Sequence, residues 1–217
     1  MAPRKVAALP AKADVQAQEQ FKSQLLEPKL EEAKRGQRAV YFVDAAHFVL
    51  APFLGIVWCF ARLFIKAPSG RQRFNVLGAL HAITKEVVTV TNDTYITSQQ
   101  VCQLLTQLAA LNPHVPVSIV LDNARYQHCR LVLEHARELQ IELLFLPSYS
   151  PNLNLIERFW KYVKKDCLYS KYYADFAAFK LAISTCIGQA REKNQAKLES
   201  LLSLRFQVFQ PNTALAA

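Results

Sequence analysis

The chain has 217 residues, and its 26 Lys and Arg against 17 Asp and Glu give a formal charge of +9. That length suits one ordinary domain, or one domain with an extension, and 52% hydrophobic residues supply a sizeable core and exclude a disordered chain. Five scattered glycines (36, 55, 70, 78 and 188) leave no phosphate-cradling loop or dinucleotide fingerprint, which excludes a P-loop ATPase and an ordinary Rossmann dehydrogenase.

Residues 1–16 are rich in Ala and Pro and read as a mobile lead-in. A helix sparse in apolar residues follows from Ala17 to Arg35, with Pro28 expected to kink or split it. Residues 1–38 are thus assigned to an N-terminal extension and linker helix, 39–210 to the compact domain, and 211–217 to a tail. AVYFV (39–43) predicts a strand ending directly on Asp44. The uncharged run Phe48–Ala61 is only 14 residues long, too short to span about 30 Å of hydrocarbon. Two more strands are expected at 73–82 and 86–91, then a helix capped by Ser98 with Val101, Leu104, Leu105, Leu108 and Leu111 at helical spacing. VPVSIVL (115–121) reads as a buried parallel strand ending on Asp122, followed by a helix at 127–139 and a strand at 141–146. Ser150–Pro151 suits a helix start, and a last helix covers 174–203. Three antiparallel strands, a helix, then alternating strands and helices predict an α/β, ribonuclease H-like mixed five-stranded sheet with helices on both faces.

Arg4 and Lys5 precede no apolar segment, so no secretory signal is read. Cys59, Cys102, Cys129, Cys167 and Cys186 form no CxxC pair, as expected of free thiols in a reducing cytoplasm. A cytoplasmic protein without membrane partners is expected. Its positive charge falls into two clusters, Arg62, Lys66, Arg71 and Arg73, and Arg158, Lys161, Lys164, Lys165 and Lys171. Either cluster alone reads as solvated surface; with acids between them, both read as phosphate contacts.

Asp44 and Asp122 each follow an apolar strand and emerge on the same side if the strands are neighbours. On a helix from Pro151, at 100° per residue, Leu155, Ile156, Phe159, Trp160 and Val163 share one arc, while Asn154, Glu157, Lys161 and Lys164 share the other. Glu157 reads either as half of an exposed Glu–Lys pair or as a third carboxylate converging on the aspartates. Three hard oxygen ligands suit Mg²⁺ or Mn²⁺ rather than Zn²⁺, and two such ions support phosphodiester chemistry.

The blocks YFVDAAHF (41–48), RQRFNVLGAL (71–80), VLDNARYQ (120–127) and LPSYSPNLNLIERFWKYVKK (146–165) resemble bacterial insertion-sequence transposases of the mariner superfamily. These carry a DDE catalytic domain of ribonuclease H fold, and the 34 residues between Asp122 and Glu157 match the interval that names this branch. The resemblance implies a catalytic triad of Asp44, Asp122 and Glu157 coordinating two Mg²⁺ ions, with Mn²⁺ as substitute. It implies hydrolysis of a strand at each transposon end, attack of the freed 3′-hydroxyl on target DNA, usually at TA dinucleotides, and a homodimer that is nucleoid-associated when on DNA. Asn123 and Asn154 match polar positions that orient ligands or phosphates, and Trp58 matches a Gly-x-Trp feature in a β-ribbon-like segment. Relatives often place a His five residues after the second Asp; Gln127 stands there, and His128 is given no catalytic role. Only 38 residues precede the first strand, without room for the helix-turn-helix region of full-length relatives, so a separate DNA-reading chain is an expected partner.

Two alternatives stay open: a stand-alone nuclease of the same fold, and a catalytically silent DNA-binding remnant. His128 and His135 with Cys129 outline an imaginable zinc site, but an incidental pair is the preferred reading. Tyr169, Tyr172, Tyr173, Phe176 and Phe179 are assigned to packing rather than base stacking.

Overall fold

The computed structural model describes residues 12–50, 60, 61, 64, 72–169 and 171–206. Arg62, Lys66, Arg71, Trp58 and Cys59 lie outside the described residues, as do the first part of the lead-in and the tail. Five strands, β1 (Ala39–Val49), β2 (Arg73–His81), β3 (Val87–Asn92), β4 (Val117–Leu121) and β5 (Ile141–Phe145), form one sheet in the order β3-β2-β1-β4-β5. β1 pairs antiparallel with β2 and parallel with β4, and β5 continues the parallel half. This is the expected mixed sheet of the ribonuclease H fold.

Side chains alternate across the central strand, so each face of the sheet carries its own apolar cluster. Val40, Phe42, Ala46 and Phe48 meet the N-terminal helices, α5 (Ile156–Cys167) and α6 (Phe176–Leu201) on one face. Ala39, Tyr41 and Val43 meet α3 (Ser98–Leu111) and α4 (Arg130–Glu138) on the other. The cap of α3 is Thr97, not Ser98, in a reciprocal capping box with Gln100, and Leu111 of its expected apolar stripe is 61% exposed.

β1 does not end on Asp44 as its sequence suggests. It runs five residues further, because β2 stays paired with it to Val49 opposite Arg73. Parallel pairing with β4 stops at Phe42, opposite Val120. Beyond that point β1 has an antiparallel neighbour on one side only, and this opens a notch at the C-terminal edge of β4.

The N-terminal segment also departs from expectation. α1 (Val15–Gln20) and α2 (Glu27–Lys34) are joined without a break by a π-helical stretch, Phe21–Leu26. Pro28 has no N–H for the carbonyl four residues back, and the wider π turns just before it absorb that mismatch, so the helix is neither split nor ended. Gly36, at φ +71°, closes α2 in a Schellman motif, with Gly36 N–H donating to Ala33 O and Gln37 N–H to Glu32 O. Phe21, Leu26, Leu30 and Ala33 are buried against the sheet. Arg38 bonds Glu32 (2.5 Å), Ser118 (2.9 Å) and Glu142 (3.1 Å), while Lys29 lies 3.1 Å from Glu142, fastening the helix to β4 and β5. Burial pushes the Glu142 carboxyl up, but Ser118, Lys29 and Arg38 outweigh it and hold the group below its ordinary value.

Gly78, opposite Asp44 in the ladder, has to be glycine for packing reasons. A Cβ there would come within 2.7 Å of the Trp160 ring and 3.1 Å of Ile156. Trp160 cannot yield, being 2% exposed and wedged against Phe48 and Phe159. Gly78→Ala is therefore expected to destabilise the fold by about 1–3 kcal/mol, read from the urea midpoint, as overpacking of a filled core does; an unchanged midpoint would show that α5 floats over the sheet.

Candidate active site

The parallel register sets the first two acids. Ala39 lies opposite Val117, and the same offset carried past the last pair brings Asp44 beside Asp122. Both side chains take the parity of Phe42 and Val120, which face the cluster holding α5. Glu157 arrives from the first turn of α5. The helix does not begin at Pro151: Pro151–Leu153 is a single 3-10 turn, Asn154 is extended, and α5 starts at Ile156. Asn154 thus leaves the polar arc that the helical wheel gave it. It is 4% exposed, and its Nδ2 donates to Val43 O (3.1 Å), the carbonyl where β4 parts from β1. Asn123 does the same for Leu146 O (2.6 Å). Both amides close strand ends beside the acids.

Asp44, Asp122 and Glu157 line one open cleft of about 360 Å³ with Asn123, Asn154 and the segment Leu146–Pro151. Asp122 Oδ1 accepts from the Ala124 N–H (3.1 Å). Fully buried Gln127 supplies a second restraint. A carboxylate only accepts, so the amide nitrogen must face it. In that orientation Nε2 donates to Asp122 O (3.1 Å) and Oδ1 (2.5 Å), and the amide oxygen accepts from the Tyr126 hydroxyl (3.3 Å). This role of Gln127 was missed in the sequence, although the position where relatives carry His was its one signal.

Burial, then the Glu157 charge, and more weakly Asp122, push the Asp44 carboxyl up to about 7, against partial relief from the Ala45 N–H and Trp160. The Trp160 indole N–H has no hydrogen-bond partner among the described residues, so its relief to Asp44 is one of proximity. Burial, with the same two aspartates, raises Tyr126 to about 12.

The basic residues fall into distinct places. Glu157, Lys161 and Lys164 follow one another along α5, Lys164 about 10 Å from Glu157 by helical rise. Lys161 and Lys165 are exposed and Lys164 half-buried. Arg158 points away from them, donating to Ser203 O (2.9 Å) and Arg205 O (2.8 Å) and lying over Phe206. Exposed Arg73 ends the β1–β2 ladder, about 17 Å along the strand from Asp44. His128 stacks on Phe145 and His135 bonds Thr106, so the imagined zinc pair has separate partners. Phe179 is buried against Tyr173 and Phe176, whereas Tyr169 and Tyr172 stand half exposed.

Residues 39–180, about two thirds of the chain, match the family described as DDE superfamily endonuclease. The chain belongs to that family. A comparison with curated proteins finds no match. Among solved structures, this DDE-family chain is similar to the Mos1 strand transfer complex, with a TM-score of 0.63 and 14% identity over 97% of this chain and 68% of that one. The catalytic domain of Mos1 mariner transposase gives 0.53 and 13% over 94% of this chain and all (100%) of the other. The Mos1 mariner paired end complex with Mn gives 0.62 and 14% over 96% and 68%. At such identities the likeness is one of fold.

Among the described residues of this DDE-family chain, no three His, Cys, Asp or Glu side chains are gathered tightly enough to hold an ion. The three acids share a cleft without closing on a common point. Their chemistry nevertheless fits a hard divalent cation: three carboxylates, together with the buried and unpartnered Oδ1 of Asn154, are oxygen donors. Asp44 shows the crowding that a cation would relieve.

Asp44 binds its proton more tightly folded than unfolded, so between its unfolded pKa of about 4 and its folded value of about 7 the native state carries the extra proton. Stability contributed by this group therefore falls as pH rises through that window, by at most about 1.4 kcal/mol per pH unit, and levels off above it. In metal-free buffer the difference in unfolding free energy between wild type and Asp44→Asn should shift in favour of the variant from pH 4.5 to 7.5. A difference constant across that range would mean that Asp44 titrates as an ordinary carboxyl.

Proposed function

We propose that this chain is the catalytic domain of an insertion-sequence transposase of the mariner superfamily, cutting DNA at transposon ends and joining the freed 3′-hydroxyl to target DNA. The observation that carries this reading is the meeting of Asp44, Asp122 and Glu157, from β1, β4 and α5, in one cleft. Membership of the DDE endonuclease family and the fold shared with Mos1 support it. The 34-residue interval from Asp122 to Glu157 supports the insertion-sequence branch within that superfamily.

In this reading Asp44, Asp122 and Glu157 hold two Mg²⁺ ions, or Mn²⁺ in their place. The bound ions supply activation of the attacking hydroxyl and stabilisation of the leaving oxygen. The chain's own residues do the rest. Gln127 and the Ala124 N–H fix the Asp122 carboxylate, and Asn154 fixes the strand end beside Asp44. Lys161, Lys164 and Lys165 take DNA phosphates along α5, and Arg73 takes a more distant one. Arg158, engaged with Ser203 and Arg205, is left out of the DNA contacts. Two transposon ends are held by a homodimer, with the inverted repeats read by a helix-turn-helix unit.

Titrating Mn²⁺ into the protein by calorimetry, alone and with a short duplex, should give saturable binding that Asp122→Asn abolishes. No heat from the wild type in either setting would refute the catalytic reading. On pre-paired transposon ends, Glu157→Gln should lower strand transfer at least about a hundredfold, since a metal contact contributing several kcal/mol is lost. Replacing Lys161 and Lys164 together by Ala should flatten the slope of log affinity against log salt by about 2 on duplex DNA. An unchanged slope would place the DNA elsewhere.

A further inference from the structure

We infer that Gln18, on the N-terminal helix, is a positioning residue of the active site, clamping the Tyr149–Asn152 turn that forms one wall of the cleft. The inference rests on the catalytic reading of that cleft. Gln18 is fully buried at 0% exposure, on a continuous helical segment whose other buried residues, Phe21, Leu26, Leu30 and Ala33, are apolar. A buried amide is costly unless its donors and acceptor are engaged. Both ends of this one reach the same turn, more than a hundred residues away: Nε2 donates to Tyr149 O (3.4 Å), and Oε1 accepts from Asn152 Nδ2 (3.1 Å).

The turn requires holding. Tyr149 sits at φ +58°, a left-handed conformation that a residue with a bulky side chain keeps only where its surroundings impose it. Within the turn, Ser150 Oγ donates to Ser148 O (3.3 Å), and the Leu153 and Asn154 N–H groups donate to Ser150 O and Pro151 O (both 3.1 Å). Tyr149, Ser150 and Pro151 line the cleft with the three acids, and Asn152 borders a second recess shared with Glu157 and Lys161. From Asn152 the chain reaches Asn154, which bonds Val43 O beside Asp44, and then Glu157. Freeing the turn therefore loosens the entry of α5 and the carboxylate it carries.

Hydrogen exchange on the full chain, combined with Mn²⁺ titration, tests this. Gln18→Ala is expected to speed exchange over residues 149–154 about tenfold and to weaken Mn²⁺ binding by about the same factor, as loss of a buried hydrogen-bond pair would. Asn152→Ala, which breaks the clamp from the turn side without touching the helix, should do the same. Leu30→Ala, which trims the core face of the same helical segment, should do neither at 149–154. Exchange in Gln18→Ala no faster there than in Leu30→Ala would overturn the inference. So would faster exchange with Mn²⁺ affinity unchanged. If the wild type itself takes no Mn²⁺, the catalytic reading falls, and exchange alone still decides whether Gln18 holds the turn.

Discussion

β1 and β4 run parallel with Ala39 opposite Val117, so every later residue on one strand is matched to the other by the same offset, and that offset delivers Asp44 to the side of Asp122. Since side chains alternate strictly, one residue of slippage would send one of the two carboxylates into the opposite cluster, among Val43 and Leu121. Burial on both faces of β1 and β4 prevents such a slip. The polar site thus inherits its geometry from an apolar constraint. The notch follows from the same strands, because β4 leaves the sheet while β2 keeps β1 extended, and Asn154 takes up the carbonyl exposed at the parting.

The third acid depends on how closely α5 can approach. Trp160 lies over Gly78, and Gly78 is paired with Asp44, so the missing side chain on β2 admits the helix that carries Glu157. Core packing and acid placement meet at that contact. The same indole lies near Asp44 and lowers its raised pKa a little, tying the carboxyl's protonation to the position of the helix.

Much of this was legible in sequence because it is periodic. The chain order of strands and helices, the helical stripes, and Asp122 at a strand end with Glu157 on a helix all follow from apolar runs and a spacing of 3.6. What spacing does not encode is the partner. Arg158 reads as a member of a basic cluster, yet its partners are the backbone carbonyls of Ser203 and Arg205, which leave no trace in residue type. Gln18 reads as one more polar residue on a polar helix, while its partners lie more than a hundred residues further on. β1 continues past Asp44 because β2 is there to pair with it, and α5 starts late because Asn154 is recruited to a strand end. Each difference comes from a tertiary contact overriding a local signal.

The distribution of ion pairs bears on what the cleft is for. Elsewhere in this basic chain, several acids that tie elements together have cationic partners: Glu142 has Lys29 and Arg38, Glu32 has Arg38, Asp93 has Lys180, and Glu86 has Arg191. Among the described residues, Asp44, Asp122 and Glu157 have none, and only neutral groups, the Gln127 amide and the Ala124 N–H, hold Asp122. A protein with a charge of +9 has cations to spare for three carboxylates. A lysine or arginine folded into the cleft would neutralise that charge and stabilise it. Neutral amides fix the geometry while leaving the negative charge uncompensated, at the cost recorded in the raised pKa of Asp44. The lysines instead follow Glu157 along α5, Lys161 one turn and Lys164 two turns beyond it, so the cleft keeps its negative charge while the helix beyond it carries positive charge.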